Sequence, residues 1–401
     1  MVQKRVNGLG EGGEFAVAPG VAPGDILGLL QGHLQTLRRV PVHANRRLDH
    51  YDLLVALLLA VYEPTVRSLR TLDDASVSQT LMQRHLDAKR LAKSTLSEAL
   101  ASLDAKVVEP LVKRLMAQVP NLPRRDGDLA GLGRILAVDG SFFRVPAEVL
   151  WAIHHVNVNG QPSKKVRLNL QLDVLQFVPV GVSISGQDGT SEGAAIVAQG
   201  IIPEAVYLAD RGYVDIDFIR AVLEAQADLV VRLRHNTCFE PTSSRPLDPE
   251  DQQAHVLSDT VGIMPRVGPQ PLRIVEVYDT RNQKTVRLLT SLLEVPAPII
   301  AKLYRYRWMI ELFFRWLKCV ARVKHLMSHS ANGITLQFYA AVIAVLAGYL
   351  VTGVKPGLYE YNMLCGALRG TVTTEGMLQV FARRAREREL ERIRRAKKQQ
   401  A

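Results

Sequence analysis

Three carboxylates and a group of cations stand where phosphate chemistry could be done. Asp139 closes the run Arg134-Ile-Leu-Ala-Val-Asp139, and Asp210 closes Ala205-Val-Tyr-Leu-Ala-Asp210, two apolar segments that each end on an acid. Glu311 lies in residues 304–318, Tyr-Arg-Tyr-Arg-Trp-Met-Ile-Glu-Leu-Phe-Phe-Arg-Trp-Leu-Lys. No Pro or Gly interrupts this stretch, so its composition predicts one helix. At about 100° per residue from Tyr304, Arg307, Glu311 and Lys318 fall at roughly 300°, 340° and 320°, with Arg315 close by. One face then carries a phenol, cations and a single carboxylate, while Ile310, Leu312, Phe313, Trp316 and Leu317 spread over the other. Carboxylate oxygens suit Mg²⁺ or Mn²⁺. Two such ions, about 3.5–4 Å apart, can activate the attacking oxygen and stabilise the leaving one in phosphoryl transfer. Tyr304, Arg307 and Lys318 would hold the phosphates of a polyanion. Taken singly, each residue has a plainer role: aspartates cap turns and helices, and charges at helical spacing form solvated ion pairs. The order of the three acids and the helix geometry together favour a metal site.

The elements that must position them read as an α/β domain with a mixed sheet. After the strand ending at Asp139, Val166, Leu168, Leu170, Leu172 and Val174 alternate with Lys165, Arg167, Asn169, Gln171 and Asp173, the pattern of a half-buried strand. A third strand is predicted at 177–184, a short helix at 191–200, a strand at 205–209, a helix at 217–227 and a fifth strand at 229–234. Three strands, helix, strand, helix, strand is a mixed α/β order, and sites in such sheets gather at the carboxyl ends of strands. Residues 235–298 break the rhythm with Pro, Ser and Asp. Strands at 272–278 and 285–292 make this a β-rich insertion before the acidic helix.

Around this core, 1–24 is predicted to be a flexible leader, 25–120 a helical N-terminal domain, 134–355 the catalytic domain and 356–401 a helical, basic C-terminal region. Residues 120–133, with Pro123, Arg124 and Arg125, form a linker. Within the first helical region, Thr95-x-x-Glu98 predicts a capping box, and a short basic helix at 85–93 before it suggests a helix-turn-helix. The apolar run 338–351 falls short of the roughly 20 residues needed to span a bilayer, so a buried core helix is expected and no membrane. Residues 383–398 hold nine Arg or Lys against three Glu, either a solvated helix or an arm contacting phosphate or protein.

With 50 Lys and Arg against 39 Asp and Glu, the formal charge of +11 favours a polyanionic partner, nucleic acid first. Cys238, Cys319 and Cys365 have no metal-type spacing, and their odd number speaks against a disulfide scaffold. Together with the absence of a signal-peptide pattern, this suits a cytoplasmic, nucleoid-associated protein.

Three blocks carry a family resemblance: Val138-Asp139-Gly-Ser141, Leu208-Ala-Asp210-Arg-Gly-Tyr213, and Tyr304-(two)-Arg307-(three)-Glu311-(six)-Lys318. The chain resembles the DDE transposases of the insertion-sequence-4 family over about residues 135–350, the last block matching their Tyr-Arg-Glu-Lys signature. Leu289-Thr290 before it and Tyr339-Ala-Ala-Val-Ile-Ala344 after it also fit. The resemblance implies a ribonuclease H-like mixed sheet with flanking helices and a β-rich insertion. It implies that Asp139, Asp210 and Glu311 bind two Mg²⁺, with Mn²⁺ an alternative, while Tyr304, Arg307 and Lys318, with Arg315 beside them, contact phosphates of the transposon ends. It also implies double-stranded DNA, ends and target, as partner, and a homodimer that synapses two ends in cut-and-paste transposition. Some relatives stack a Trp of the insertion on a flipped base. Here the tryptophans are Trp151, Trp308 and Trp316, so the insertion offers none; Trp308 stands for that role, its plainer one being packing. Two other functions stay open: a stand-alone ribonuclease H-like nuclease and a catalytically silent DNA-binding regulator.

Overall fold

The structure, a computed structural model, describes residues 30, 32–41, 48–63, 65–118, 127–129, 131–156, 162–319, 326–352 and 357–400. The predicted leader 1–24 and most of the linker 120–133 lie outside the described residues. The chain divides into two compact units, Leu122–Trp316 and a helical unit made of Met1–Asn121 with Leu317–Ala401.

The helical unit begins with α1 (His50–Tyr62), α2 (Leu69–Ser78), α3 (Thr80–His85), α4 (Lys93–Ser102) and α5 (Glu109–Gln118). Asp49 caps α1, accepting from Asp52 N at 2.8 Å, and Ser68 with Thr71 forms a capping box on α2. The basic helix expected at 85–93 is not formed. Residues 86–92 are irregular, and the buried Asp52 carboxylate holds their backbone, accepting from Asp87 N and Ala88 N at 2.9 and 3.1 Å. Asp73 takes the Arg90 guanidinium and the backbone N–H of Lys93. Since α4 starts after Ala92, Thr95 lies inside its first turn, and Asp73 does the capping expected of a Thr95–Glu98 box.

The second unit is built on a ten-stranded sheet. Its elements are β1 (Ile135–Val145), β2 (Ile153–Val156), β3 (Pro162–Asp173), β4 (Val178–Ser185), α6 (Glu192–Gln199), β5 (Val206–Ala209), α7 (Ile216–Glu224) and β6 (Asp228–Arg232). There follow β7 (Glu240–Ser244), α8 (Pro249–Gln253), β8 (Val256–Met264), β9 (Gly268–Asp279), β10 (Lys284–Thr290), α9 (Ala297–Tyr306) and α10 (Trp308–Cys319). The strand order is β2-β3-β1-β5-β6-β10-β9-β8-β7, with β4 also on β3. Strands β1, β3 and β4 pair antiparallel, and β5 and β6 continue parallel to β1. That is the ribonuclease H-like order. The β-rich insertion continues the same sheet, because β10 pairs antiparallel with β6.

Strands β1, β5 and β6 are buried on both faces, as parallel strands usually are. One face packs Leu136, Val138, Tyr207 and Leu229 against Ile196 of α6 and Phe218 of α7. Residues of the other face, Ile135, Ala137, Leu208 and Val230, are equally buried, and α9 packs on β5, β6 and β10. The polar positions of β3 depart from the half-exposed pattern expected: Arg167, Asn169, Gln171 and Asp173 are all buried. They are tolerated because they are bonded. Arg167 Nε donates to Asn169 Oδ1 at 2.8 Å, Asn169 Nδ2 to Ser185 Oγ at 2.7 Å, and Gln171 Nε2 to Gly200 O at 3.0 Å.

A second buried polar group holds the insertion. Arg273 of β9, 2% exposed, donates from Nε to Asp259 Oδ1 of β8 at 2.7 Å, and its Nη1 donates to the carbonyls of Leu292, Leu293 and Val295. The guanidinium thus ties two insertion strands to the turn that launches α9.

The chain returns to the helical unit through α11 (Ala331–Thr352), α12 (Leu358–Leu368) and α13 (Thr374–Gln400). Its apolar helix is longer than the run read from sequence: 331–351 is long and apolar enough to cross a membrane, yet 83% of it is buried. It packs on α1, α4 and α5. Tyr62 hydroxyl donates to Ala344 O at 2.9 Å, and Asn332 accepts from Ala105 N while donating to Leu100 O. The packing changes unit at 317. An apolar helix buries wherever enough apolar surface is offered.

Candidate active site

The parallel pairing of β1 with β5 stops at Ala137↔Leu208. Asp139 lies two residues beyond that point, and Asp210 directly follows β5. Asp139 does not end its strand as expected; β1 runs on to Val145 alongside β3, with Asp139 opposite Leu170. What ends there is the pairing with β5, and this puts both acids at the carboxyl end of a parallel pair. Each carboxylate takes up a backbone N–H at this point: Gly140 N donates to Asp139 Oδ1 at 2.8 Å, and Arg211 N to Asp210 Oδ1 at 2.7 Å.

The signature region forms two helices rather than one. Arg307 is the joint between α9 and α10. Its φ of −51° and ψ of −34° stay in the helical region. Bonds from Arg307 N to Tyr304 O and from Ile310 N to Arg307 O, each 3.2 Å, tighten one turn. Tyr304 hydroxyl donates to Asp210 Oδ1 at 3.4 Å, and Arg307 Nη2 donates to Glu311 Oε1 at 2.8 Å. The Arg307 guanidinium also faces the Tyr304 ring, 5.8 Å from its centroid. Below them, Phe313 meets Phe177 edge-on at 5.4 Å, fixing α10 against the loop between β3 and β4.

Burial pushes the Asp139 carboxyl up to about 6; the Gly140 N–H and Arg307 pull it down, while the charges of Glu192 and Glu311 push it further up. Burial raises the Tyr304 phenol as well, with the Asp210 charge adding to it. Asp139, Asp210, Glu311, Tyr304 and Arg307 thus share one electrostatic environment. Arg315 is exposed on α10, and Trp308 is 50% exposed at its first residue. Lys318 lies two turns after Glu311 on the same helix face.

One acid of this environment has no spacing to reveal it. Glu192, the first residue of α6, is raised by burial and by Asp210 and lowered by Arg167. An acid in a helix's first turn is ordinary, so nothing in the sequence marked it out.

Residues 130–347 match the family model described as the transposase DDE domain. The chain belongs to this family. A protein of Sinorhizobium fredii that carries the transposase name y4zB is 33% identical over 35% of this chain and 40% of its own length. The chain thus spans under half of that relative. A Synechocystis protein named for insertion sequence element IS4SA is 23% identical over 69% of this chain and 77% of its own length. The piggyBac transposase, solved in a synaptic complex with hairpin DNA, aligns with a TM-score of 0.43 at 14% identity, covering 89% of this chain and 77% of that one.

DDE transposases generally use divalent metal ions. The donor set of this one fits such an ion in kind: carboxylate oxygens, with half-buried Asp139 raised by the charges of two other carboxylates. Among the described residues no group of three acids stands ready to hold an ion, and Arg307 occupies one oxygen of Glu311.

Proposed function

We propose that this DDE transposase works by cut and paste: it binds the end repeats of its element, nicks them and transfers the 3′-hydroxyl ends to target DNA. The observation that carries this is the meeting of Asp139 and Asp210 at the end of the β1/β5 pair, with the Tyr304–Arg307–Glu311 group joined to them through the bond from Tyr304 to Asp210. Asp139, Asp210 and Glu311 would hold two Mg²⁺, or Mn²⁺, which when bound supply activation of the attacking oxygen and charge stabilisation at the leaving one.

The side chains around them divide the remaining work. Tyr304 orients the Asp210 carboxylate through its hydroxyl. Arg307 would present a planar guanidinium to a phosphate. Arg315 and Lys318 extend that cationic face along α10, and Trp308 offers an exposed ring for base stacking. The helices of 25–120 would read the ends, and a homodimer would synapse two of them.

Asp139→Asn, Asp210→Asn and Glu311→Gln keep shape while removing the charge a cation needs. Each variant should fold, bind an end duplex and fail to nick it in Mg²⁺. A soluble, end-binding Glu311→Gln protein that cuts at near wild-type rate sinks the assignment.

A further inference from the structure

The geometry points to Glu192 as a fourth carboxylate of the cation-binding set, entering from the first turn of α6 between Gly140 and Gly212. It rests on the assignment of Asp139, Asp210 and Glu311 above. Each aspartate is followed closely by a glycine, Gly140 after Asp139 and Gly212 two residues after Asp210. A Cβ on Gly140 would meet Arg167 Cδ at 2.8 Å and Glu192 Oε1 at 3.3 Å, and one on Gly212 would stand 3.0 Å from Glu192 Oε2 alone. The two oxygens of one carboxylate therefore lie against the backbone beside each of the two aspartates. A larger residue at Gly212 would crowd the Glu192 carboxylate, and one at Gly140 would crowd Arg167 as well.

A structural counter-ion would look different. Arg167, the nearest cation, keeps its Nη1 3.9 Å from Glu192 Oε1. It spends Nε on Asn169 Oδ1 at 2.8 Å and Nη2 on Thr190 O at 2.6 Å. Arg167 offsets the charge of Glu192 without ligating it closely. Among the described residues no donor hydrogen-bonds to either Glu192 oxygen.

A second observation points to a missing group. The Tyr213 hydroxyl is fully buried and has no hydrogen-bond partner among the described residues. Buried hydroxyls nearly always have one. Burial first, then the charges of Glu192 and Asp139, push this phenol well above its usual range, so the hydroxyl lies in the field of both acids. A hydrated cation held there brings the water that such a hydroxyl lacks, since small divalent ions retain several waters.

The test is Mn²⁺ binding to the full chain, without DNA, followed by the loss of free-ion paramagnetic signal. Asp139→Asn serves as the control for the site itself. Glu192→Gln should bind Mn²⁺ at least about tenfold more weakly than wild type, since even a group behind the ligands costs about that much when lost. Gly212→Ala, whose new methyl meets only the Glu192 carboxylate, should weaken binding too, and should add nothing in a Glu192→Gln background. A Glu192→Gln titration that overlays wild type while Asp139→Asn loses Mn²⁺ overturns the proposal and leaves Glu192 as the counter-ion of Arg167. If Asp139→Asn also binds normally, the triad assignment falls and this one with it. Should Glu192→Gln not fold, Gly212→Ala decides: unchanged Mn²⁺ affinity there overturns the role of Glu192.

Discussion

Arg307 and Glu311 form an ion pair one helical turn apart, Nη2 to Oε1 at 2.8 Å, with only 12% of the arginine side chain exposed. The arginine stands where a cation would be wanted, among carboxylates that repel one another. It therefore competes with a divalent ion for Glu311. Replacing Arg307 with Ala should cost about 1–3 kcal/mol in metal-free buffer, the usual loss for a charged hydrogen bond. Mg²⁺ should then raise the melting temperature of Arg307→Ala by more than it raises that of wild type. Thermal scans with and without 10 mM-scale Mg²⁺ at matched ionic strength check this. Equal Mg²⁺ shifts in the two proteins would show that Arg307 is no surrogate cation.

Asp139 makes stability depend on pH in an unusual direction. Its carboxyl is raised from 3.8 to about 6, chiefly by burial. Between those values the native state holds a proton that the unfolded chain has released, so stability falls as pH rises through this window. Above pH 6 the cost is complete, on the order of 3 kcal/mol for two units. Asp139→Asn avoids it and retains an oxygen for the Gly140 N–H. In metal-free buffer this variant should be the more stable protein at pH 7–8, its advantage fading towards pH 4. A variant less stable than wild type at pH 8 would mean that the native site compensates the buried charge in full.

Much of this site was legible in sequence because chemistry and spacing coincide there. Asp139 and Asp210 each follow a run of apolar residues, and Tyr304, Arg307 and Glu311 repeat at helical spacing. The tightened turn at Arg307 escaped notice because every residue around it is a competent helix former. Strands β2 and β7 leave no mark in the sequence: their exposed residues, including His154, His155 and all of 240–244, carry no apolar alternation. Arg167, Asn169 and Gln171 pointed the other way, for alternation with polar residues normally marks a solvent face. Only α6 lying over β3, with Gln199 Nε2 donating to Asn169 O at 3.2 Å, makes that face an interior one.

The Arg273–Asp259 pair should matter to stability out of proportion to its distance from the chemistry. Both side chains are about 95% buried or more, and the same guanidinium serves three carbonyls before α9. Removing one partner leaves a charge buried without compensation, a loss of about 3–5 kcal/mol. Asp259→Ala should lower the urea midpoint accordingly, and Arg273→Lys should recover little, because one ammonium cannot reproduce the fork. Wild-type urea midpoints for both variants would show that solvent reaches the pair.

Removing the N-terminal helices should not release a free catalytic domain. Helix α11 is apolar and mostly buried, and most of its cover comes from α1, α4 and α5, with α12 and α13 adding less. The Tyr62 hydroxyl on Ala344 O and the Asn332 side chain between Leu100 and Ala105 show that the contact includes specific bonds as well as area. A chain starting at Gly127 keeps the whole of α11, with α12 and α13, and loses α1, α4 and α5, which supply most of its cover. An exposed apolar face of that size is an aggregation liability. The shortened chain should therefore be recovered in aggregates or only with detergent. Removing Ala331–Ala401 as well withdraws α11 itself and should improve solubility of what remains. Size-exclusion chromatography of the two shortened chains decides the matter. A monodisperse, detergent-free protein starting at Gly127 would mean that α11 finds other cover, and would make end recognition testable by simple truncation.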